Sequence, residues 1–158
     1  MELEGFTKEN FFKIFHGRFG LTRNRGQLVE LVVGDGLVGS FGLWMGTGAC
    51  GWKVMAWEHR PTVFDQLRKN RPDTEIHKGR LTNWAGNFSK ISPTAITVRG
   101  AREASGVCRG IRNQLIRPDW LGIWNPSRRP VWCRRLSKAG YQLELVWQNM
   151  EFYRLRSQ

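Results

Sequence analysis

The apolar and polar positions along the chain predict a series of strands alternating with helices. Residues Val29 to Val33 are rich in β-branched and apolar side chains, which is typical of a buried parallel strand. The segment Gly34 to Gly39 (GDGLVG) follows at once, where a strand must turn sharply and a ligand can approach bare backbone. An apolar helix is then predicted at Phe41 to Met45, and Val54 to Glu58 form a second strand that ends in a carboxylate.

The remainder of the chain continues the same alternation. The pattern predicts, in order, a helix from Pro61 to Asn70, a short strand Glu75 to Lys78, a loop 79–86, a strand Thr94 to Val98, a helix from Ala101 to about Leu115 that contains two glycines, a strand Asp119 to Trp124, a helix around 131–139, and a hairpin of Tyr141 to Trp147 with Glu151 to Leu155. The sequence therefore predicts an α/β domain with a mostly parallel central sheet and a C-terminal antiparallel hairpin.

This order of elements predicts where a ligand binds. In open α/β sheets, ligands lie outside the carboxyl ends of the strands. Glu58 closes the second strand there, so we expect it to accept hydrogen bonds from ribose hydroxyls of a nucleoside-like cofactor. Dinucleotide enzymes and S-adenosylmethionine enzymes share this geometry, but the terminal hairpin is typical of the methyltransferase version.

The length is that of one domain, preceded by a short N-terminal segment. We predict an N-terminal helix, beginning at Thr7 and ending at Gly17, and a basic loop within residues 1–27, followed by a single domain over 28–158. The first residues lack the pattern of a signal peptide, and no apolar run approaches the length of a membrane span.

The charge balance points to an anionic partner. The formal net charge is +12, with 13 Lys+Arg against 9 Asp+Glu in residues 1–98 and 12 against 4 in residues 99–158. Such a surface favours nucleic acid, sugar phosphates or another acidic partner, although an excess of charge also serves solubility alone. Arginines at helical spacing either grip an anion or form a solvated face: Arg99, Arg102, Arg109 and Arg112.

Cysteine and histidine usage adds two expectations. Three scattered cysteines suit reduced thiols in a cytoplasm, and no metal-ligand spacing is present, so we predict a cytoplasmic protein without a structural metal. The sequence does not indicate an oligomeric state.

The motif residues resemble those of class I S-adenosylmethionine-dependent methyltransferases. Glu30-Leu31 followed by Gly34 to Gly39 is similar to the first motif of that class. Lys53 to Glu58, with four residues at matching spacing, resembles the second-strand region of the FkbM-type methyltransferases: Pro61, Phe64, Leu67 and Asn70. The loop from Leu81 to Gly86 and the closing strand, helix and hairpin from Trp120 to Leu155 follow the same pattern.

The resemblance implies a Rossmann-like methyltransferase fold, S-adenosylmethionine as cofactor and a role for each motif residue. Glu30 and the bend Gly34, Asp35 and Gly36 would face the methionine part of the cofactor, and Glu58 would hold the ribose. His59, Thr82 and Asn83 would lie at the adenine. The acceptors implied by the family are hydroxyl groups of sugars or other small metabolites.

Three positions depart from the family. Val32 stands where the family usually has a glycine, while Thr97 and Arg99 stand where the central strand usually carries acids. Arg99 implies either a cationic site for an anionic acceptor or a lost reaction. The basic C-terminal half suggests RNA or a phosphorylated or acidic sugar as that acceptor. Glu103 is a substitute acid at a spacing that does not match.

Two further features leave the acceptor open. Asn125-Pro126-Ser127 agrees in two residues with the Asn-Pro-Pro-aromatic turn of methyltransferases that act on base amino groups, and is otherwise a strand-ending turn. We treat Arg99 and Asn125 as candidate acceptor-binding residues. No general base is evident.

Two rival functions fit parts of the pattern. The glycines and Glu58 also suit a flavin or nicotinamide fingerprint, which would make the chain a dinucleotide-binding oxidoreductase module. Alternatively, the chain keeps part of the pocket without catalysis and uses its arginines to hold nucleic acid.

Overall fold

The computed structural model describes residues 9–10, 13, 26–37, 41–46, 51–85, 91–124, 129–147 and 149–157. Most of the predicted N-terminal helix, the basic loop before the first strand, Val38 and Gly39, and the turn Asn125 to Ser127 lie outside these residues. The division into an N-terminal segment and a domain stays a prediction.

The described elements follow the predicted alternation of strands and helices. In chain order they are β1 Gln27–Leu31, α1 Phe41–Gly46, β2 Lys53–Glu58, α2 Pro61–Asn70, β3 Glu75–Lys78, β4 Ala95–Val98, α3 Ala101–Arg112, β5 Trp120–Trp124, α4 Arg129–Lys138, β6 Tyr141–Trp147 and β7 Met150–Leu155. Among the described helices, none is long and apolar enough to cross a membrane.

One seven-stranded sheet joins all the described strands in the order β3-β2-β1-β4-β5-β7-β6. The pairings among β1 to β5 are parallel. β7 is inserted antiparallel between β5 and β6. The predicted mostly parallel sheet with a C-terminal antiparallel hairpin is confirmed. The strand order reverses between β1 and β4, which is where an open α/β sheet forms its ligand crevice.

Apolar side chains cover both faces of the sheet because a parallel sheet must bury both. On one face, Trp84, Val107 and Leu136 belong to a core that packs α3 and α4 against the strands. On the other, Phe41 and Trp44 of α1 pack with a cluster that includes four further aromatic side chains: Trp52, Trp120, Trp147 and Phe152. Trp84 is 1% exposed, so the loop after β3 is anchored in the core.

The boundaries of two elements differ from the sequence prediction. β1 ends at Leu31, and Val32 adopts φ +60°, a left-handed conformation in which a β-branched residue is strained. This is the position where the resembling family has a glycine. α3 ends at Arg112, and Gln114 is also left-handed, so the helix stops short of Leu115.

The glycines inside α3 have a packing role. A Cβ atom on Gly106 would lie 2.5 Å from the backbone oxygen of Thr82, and one on Gly110 would lie 3.1 Å from Ile116 and Trp84. These glycines therefore let the loop after β3 approach the helix closely, which places Thr82 and Trp84 beside α3.

Candidate functional site at the carboxyl edge of the sheet

The bend after β1 is the centre of the candidate site. Gly34 and Gly36 have φ of +78° and +80°, values that favour glycine. The two glycines face different surroundings. A Cβ on Gly34 would meet only Arg99 Nη1, at 3.4 Å, whereas one on Gly36 would lie 2.4 Å from Leu67 Cδ1 in α2. Gly34 thus lies beside Arg99 with room for a further atom, whereas Gly36 is packed on α2.

Side chains at the end of α2 hold this bend in place. Asn70 Nδ2 donates to the backbone oxygen of Asp35 at 2.8 Å, and Arg71 Nε donates to that of Gly36 at 2.8 Å. Asp35 Oδ1 accepts the backbone N–H of Leu37 at 2.9 Å, which closes a local turn.

Glu58 lies beside the bend, where the sequence predicts it, and its carboxylate is fully engaged. Oε2 accepts the backbone N–H of Gly34 at 3.0 Å, and Oε1 accepts the backbone N–H of Arg60 at 3.0 Å. The guanidinium of Arg60 adds Nε to Oε1 at 2.8 Å and Nη2 to Oε2 at 2.9 Å. The Glu58 side chain has no exposed surface, whereas the Arg60 side chain is 47% exposed.

These contacts keep the carboxyl group of Glu58 ionised. Burial raises the pKa of this carboxyl, but the hydrogen bonds from Arg60 and Gly34 and the positive charge of Arg60 outweigh it and lower the pKa to about 2. Glu58 is therefore an anionic acceptor at neutral pH, and its present partner is Arg60.

His59 links Glu58 to a second buried acid. Arg80 Nη2 lies 2.8 Å from His59 Nε2, and since an arginine only donates, Nε2 is the acceptor and the ring proton is on Nδ1. Nδ1 lies 3.6 Å from Glu58 Oε1 and makes no hydrogen bond among the described atoms. Arg80 Nη1 also donates to Glu103 Oε1 at 2.6 Å, and Glu103 Oε2 is buried without a partner in the described part of the chain.

Glu30 is placed in a buried ion pair. Its Oε2 lies 2.6 Å from Arg71 Nη1, its Oε1 accepts the backbone N–H of Gly42 at 2.9 Å, and both side chains of the pair are at most 5% exposed. A Cβ on Gly42 would lie 2.0 Å from this carboxylate, so the glycine lets α1 approach it. In this arrangement Glu30 joins β1 to the end of α2, and its role toward a cofactor stays a prediction.

Arg99 lies at the mouth of the cleft, at the end of β4. Its guanidinium is 4.6 Å from the ring centre of Trp124, at the end of β5. Burial lowers the pKa of Arg99, and the charges of Glu30 and Asp35 oppose that effect. A cation in this position attracts an anionic group.

A small cavity lies beside Glu30 and Arg99 at this edge of the sheet, and neither Glu58 nor Gly34 to Gly36 lines it. The cavity is about 10 Å³, space for no more than one water molecule, whereas sites for small molecules occupy roughly 300–1,000 Å³. This cavity by itself is too small for a nucleoside cofactor. The lining residues come from β1, the two residues that follow it, α1, the end of β4, β5 and β7: Glu30, Leu31, Val32, Val33, Phe41, Thr97, Arg99, Trp124 and Met150.

The remaining predicted site residues, Thr82, Asn83 and Asn125, differ in their exposure and in whether the structure describes them. Thr82 is half-buried beside α3, and Asn83 is exposed, with its Oδ1 accepting the backbone N–H of Ala85 at 3.0 Å. Asn125 lies outside the described residues.

The sequence analysis did not identify the three arginines that form ion pairs with the predicted acidic residues. Arg71 is 41 positions from Glu30, and Arg80 is 23 from Glu103, so no local pattern signals either pair. Arg60, two residues after Glu58, could have been found because a cation directly follows the strand-ending acid.

Comparisons with solved structures agree with this topology. No protein-family model and no curated protein sequence matches the chain. The chain is similar to fibrillarin from Aeropyrum pernix with natively bound S-adenosyl-L-methionine, at 13% identity and a TM-score of 0.64, over 92% of this chain and 74% of that one.

Two further structures show the same likeness. The N-terminal domain of human METTL16, in complex with SAH, has 14% identity, a TM-score of 0.56 and coverage of 92% of this chain and 68% of that one. A TehB-like SAM-dependent methyltransferase from Corynebacterium glutamicum has 15% identity, a TM-score of 0.55 and coverage of 94% and 98%. The chain thus has the Rossmann-like fold of class I methyltransferases.

Proposed function

We propose that the chain is a class I S-adenosylmethionine-dependent methyltransferase whose cofactor binds at the carboxyl edge of the sheet. The observation that carries the proposal is the pairing of Glu58 with the bend: an ionised carboxylate at the end of β2 accepts the N–H of left-handed Gly34 in the bend after β1. An acid and a bare backbone segment thus lie together at the crevice of a sheet with the methyltransferase strand order.

The residues of the site fit the cofactor if Arg60 moves. Ribose hydroxyls are donors, and Glu58 is an acceptor whose partner Arg60 is half-exposed, so the guanidinium can turn to solvent when hydroxyls replace it. Gly34 would present its backbone to the methionine part, and Asn83, which is exposed in the loop after β3, would contact the adenine edge. The cofactor, when bound, supplies an activated methyl group.

For the acceptor, we propose a hydroxyl of a small or anionic molecule. Arg99 supports this because a half-buried cation at the mouth of the cleft attracts an anionic group and can orient it for in-line displacement. Asn125 is the second candidate for acceptor contacts. The FkbM-type kinship and the choice of hydroxyl rest on the sequence resemblance.

The ion pairs that Glu58 and Glu30 make with arginines favour a second function. Both oxygens of Glu58 are hydrogen-bonded to Arg60, Glu30 is paired with Arg71, and the cavity is far smaller than a nucleoside. These observations favour a methyltransferase-like protein without catalysis, and the net charge of +12 would suit nucleic acid as its partner.

Calorimetric titration with S-adenosylmethionine, S-adenosylhomocysteine and NAD, with the purified protein, tests the proposal. We expect heat of binding for the two adenosyl sulfur compounds and none for NAD. Binding of NAD alone would assign the site to a dinucleotide, and absence of binding by all three would support the non-catalytic function. Transfer of labelled methyl groups to a panel of hydroxylated anions then tests the acceptor class.

A further inference from the structure

A second concave surface lies at the opposite edge of the sheet, where the parallel strands begin. It is a groove of about 940 Å³ between the C-terminal half of α3, the loop 113–117, the end of α4, the start of β6 and the end of β7. This groove shares no lining residue with the cleft at the carboxyl edge.

The groove is strongly cationic. None of the described residues that line it has a carboxylate, and six of them are exposed basic side chains: Arg109, Arg112, Arg117, Arg135, Lys138 and Arg156. All of the ion pairs found in the described part of the chain involve other residues, so Arg109, Arg112, Arg117, Lys138 and Arg156 lack an acidic partner there. Asp119 lies close enough to act on Tyr141, which lines the groove. Burial raises the pKa of the Tyr141 hydroxyl, the positive charge of Arg117 lowers it, and the negative charge of Asp119 raises it.

Rigid structure supports these charges. Tyr141 is 1% exposed, and its hydroxyl donates to the backbone oxygen of Pro118 at 2.6 Å. The backbone N–H of Arg156 donates to the oxygen of Gly140 at 2.9 Å, which ties the end of β7 to the start of β6. The basic side chains therefore project from a fixed floor, which reduces the entropy lost when they bind a ligand.

We propose that this groove binds the phosphodiester backbone of a nucleic acid strand. Positive charges from four separate segments (α3, the loop 113–117, α4 and the end of β7) suit a polyanion that runs along a groove, because each guanidinium can hold a phosphate and release counterions. The cations are exposed and distributed rather than gathered around one enclosed point, as a single small phosphate would require. Its concave shape suits a strand better than a flat lipid surface.

The binding is independent of base sequence. Tyr141 is the aromatic residue in the lining, and it is buried, so the groove offers no ring on which a base can stack. Phosphate contacts position a nucleic acid but carry no sequence information. The groove would thus hold an RNA or DNA strand in one orientation while leaving its bases free.

Fluorescence anisotropy with a labelled homopolymeric RNA, over a series of KCl concentrations, tests the proposal. The double variant Arg112→Gln with Arg156→Gln removes two groove charges. The control Arg68→Gln with Lys69→Gln removes two exposed charges from α2, so both variants have the same net charge. If each arginine holds one phosphate, the slope of log K against log [KCl] should flatten by about 1.4 in the groove variant, which is an affinity loss of about 25-fold at about 0.1 M salt.

The control variant should bind like the wild type, and each single groove variant should show about half the change in slope. Circular dichroism of every variant verifies the fold. Equal losses in both double variants would reduce the effect to net charge and overturn the proposal. So would the absence of RNA binding, full displacement of RNA by inorganic phosphate at equal ionic strength, or binding to phosphatidylserine vesicles but not to RNA. Cofactor titrations do not enter this test, so its failure is distinct from that of the methyltransferase proposal.

Discussion

The guanidinium of Arg60 holds both carboxylate oxygens of Glu58, with Nε 2.8 Å from Oε1 and Nη2 2.9 Å from Oε2. The carboxylate that the sequence predicts as the ribose acceptor is therefore already hydrogen-bonded to Arg60, in the short loop that follows β2. Any ligand that binds this carboxylate must displace Arg60, so Arg60 competes with the ligand for Glu58.

Removal of Arg60 should strengthen cofactor binding. We expect Arg60→Ala to lower the Kd for S-adenosylmethionine about threefold to fivefold, because a half-exposed ion pair contributes up to about 1 kcal/mol that binding no longer has to break. Isothermal titration calorimetry measures the change, with Arg68→Ala as the control. Weaker binding by Arg60→Ala would mean that the arginine contacts the cofactor or positions Glu58 for it.

The low pKa of Glu58 predicts an acid-sensitive fold. Because its folded pKa is about 2 and its ordinary value is 4.5, its contribution is complete above about pH 4.5 and is lost as the pH falls through about 2. The loss amounts to at most about 3 kcal/mol, since one pKa unit corresponds to about 1.4 kcal/mol. Urea unfolding at a series of pH values should show a smaller acid loss in Glu58→Gln than in the wild type; parallel curves would contradict the assignment.

Val32 should reverse the usual order of alanine and glycine. At φ +60° a Cβ costs about 1–2 kcal/mol, so we expect Val32→Gly to be more stable than Val32→Ala by about 1 kcal/mol. At ordinary positions glycine is less stable than alanine by about 0.5–1 kcal/mol. Chemical unfolding of the two variants makes the comparison, and the ordinary order would show that Val32 is unstrained.

The buried pair of Glu30 and Arg71 should behave as a structural unit. Arg71→Met leaves a buried carboxylate without its partner, and we expect a loss of about 3–5 kcal/mol in the free energy of unfolding. Adding Glu30→Gln removes the stranded charge and should recover most of that loss. Additive losses in the double variant, measured by chemical unfolding, would refute the coupling.

The order of elements followed from local patterns that the fold preserves. Runs such as Val54 to Glu58 and turns such as Arg60-Pro61 are legible within a few residues, and the hairpin of β6 and β7 distinguishes this sheet from a dinucleotide domain. The end of β1 was predicted wrongly because Val32 is β-branched, and only its tertiary surroundings impose the left-handed turn.

The partners of the acidic residues in the site could not be predicted from the sequence. Glu30 and Glu58 lie where the pattern predicts, but their partners are set by packing, since Arg71 reaches Glu30 across 41 positions. The basic groove likewise forms from five separate segments, and helical spacing revealed only Arg109 and Arg112 among its charges.

The most direct measurement is a crystal structure of the protein soaked with S-adenosylhomocysteine. The account predicts the nucleoside at the bend after β1, its ribose hydroxyls bound to the carboxylate of Glu58, and the guanidinium of Arg60 turned to solvent. A crystal in which Glu58 keeps its contacts with Arg60 while the bend at Gly34 stays empty, or the ligand lies elsewhere, would contradict it.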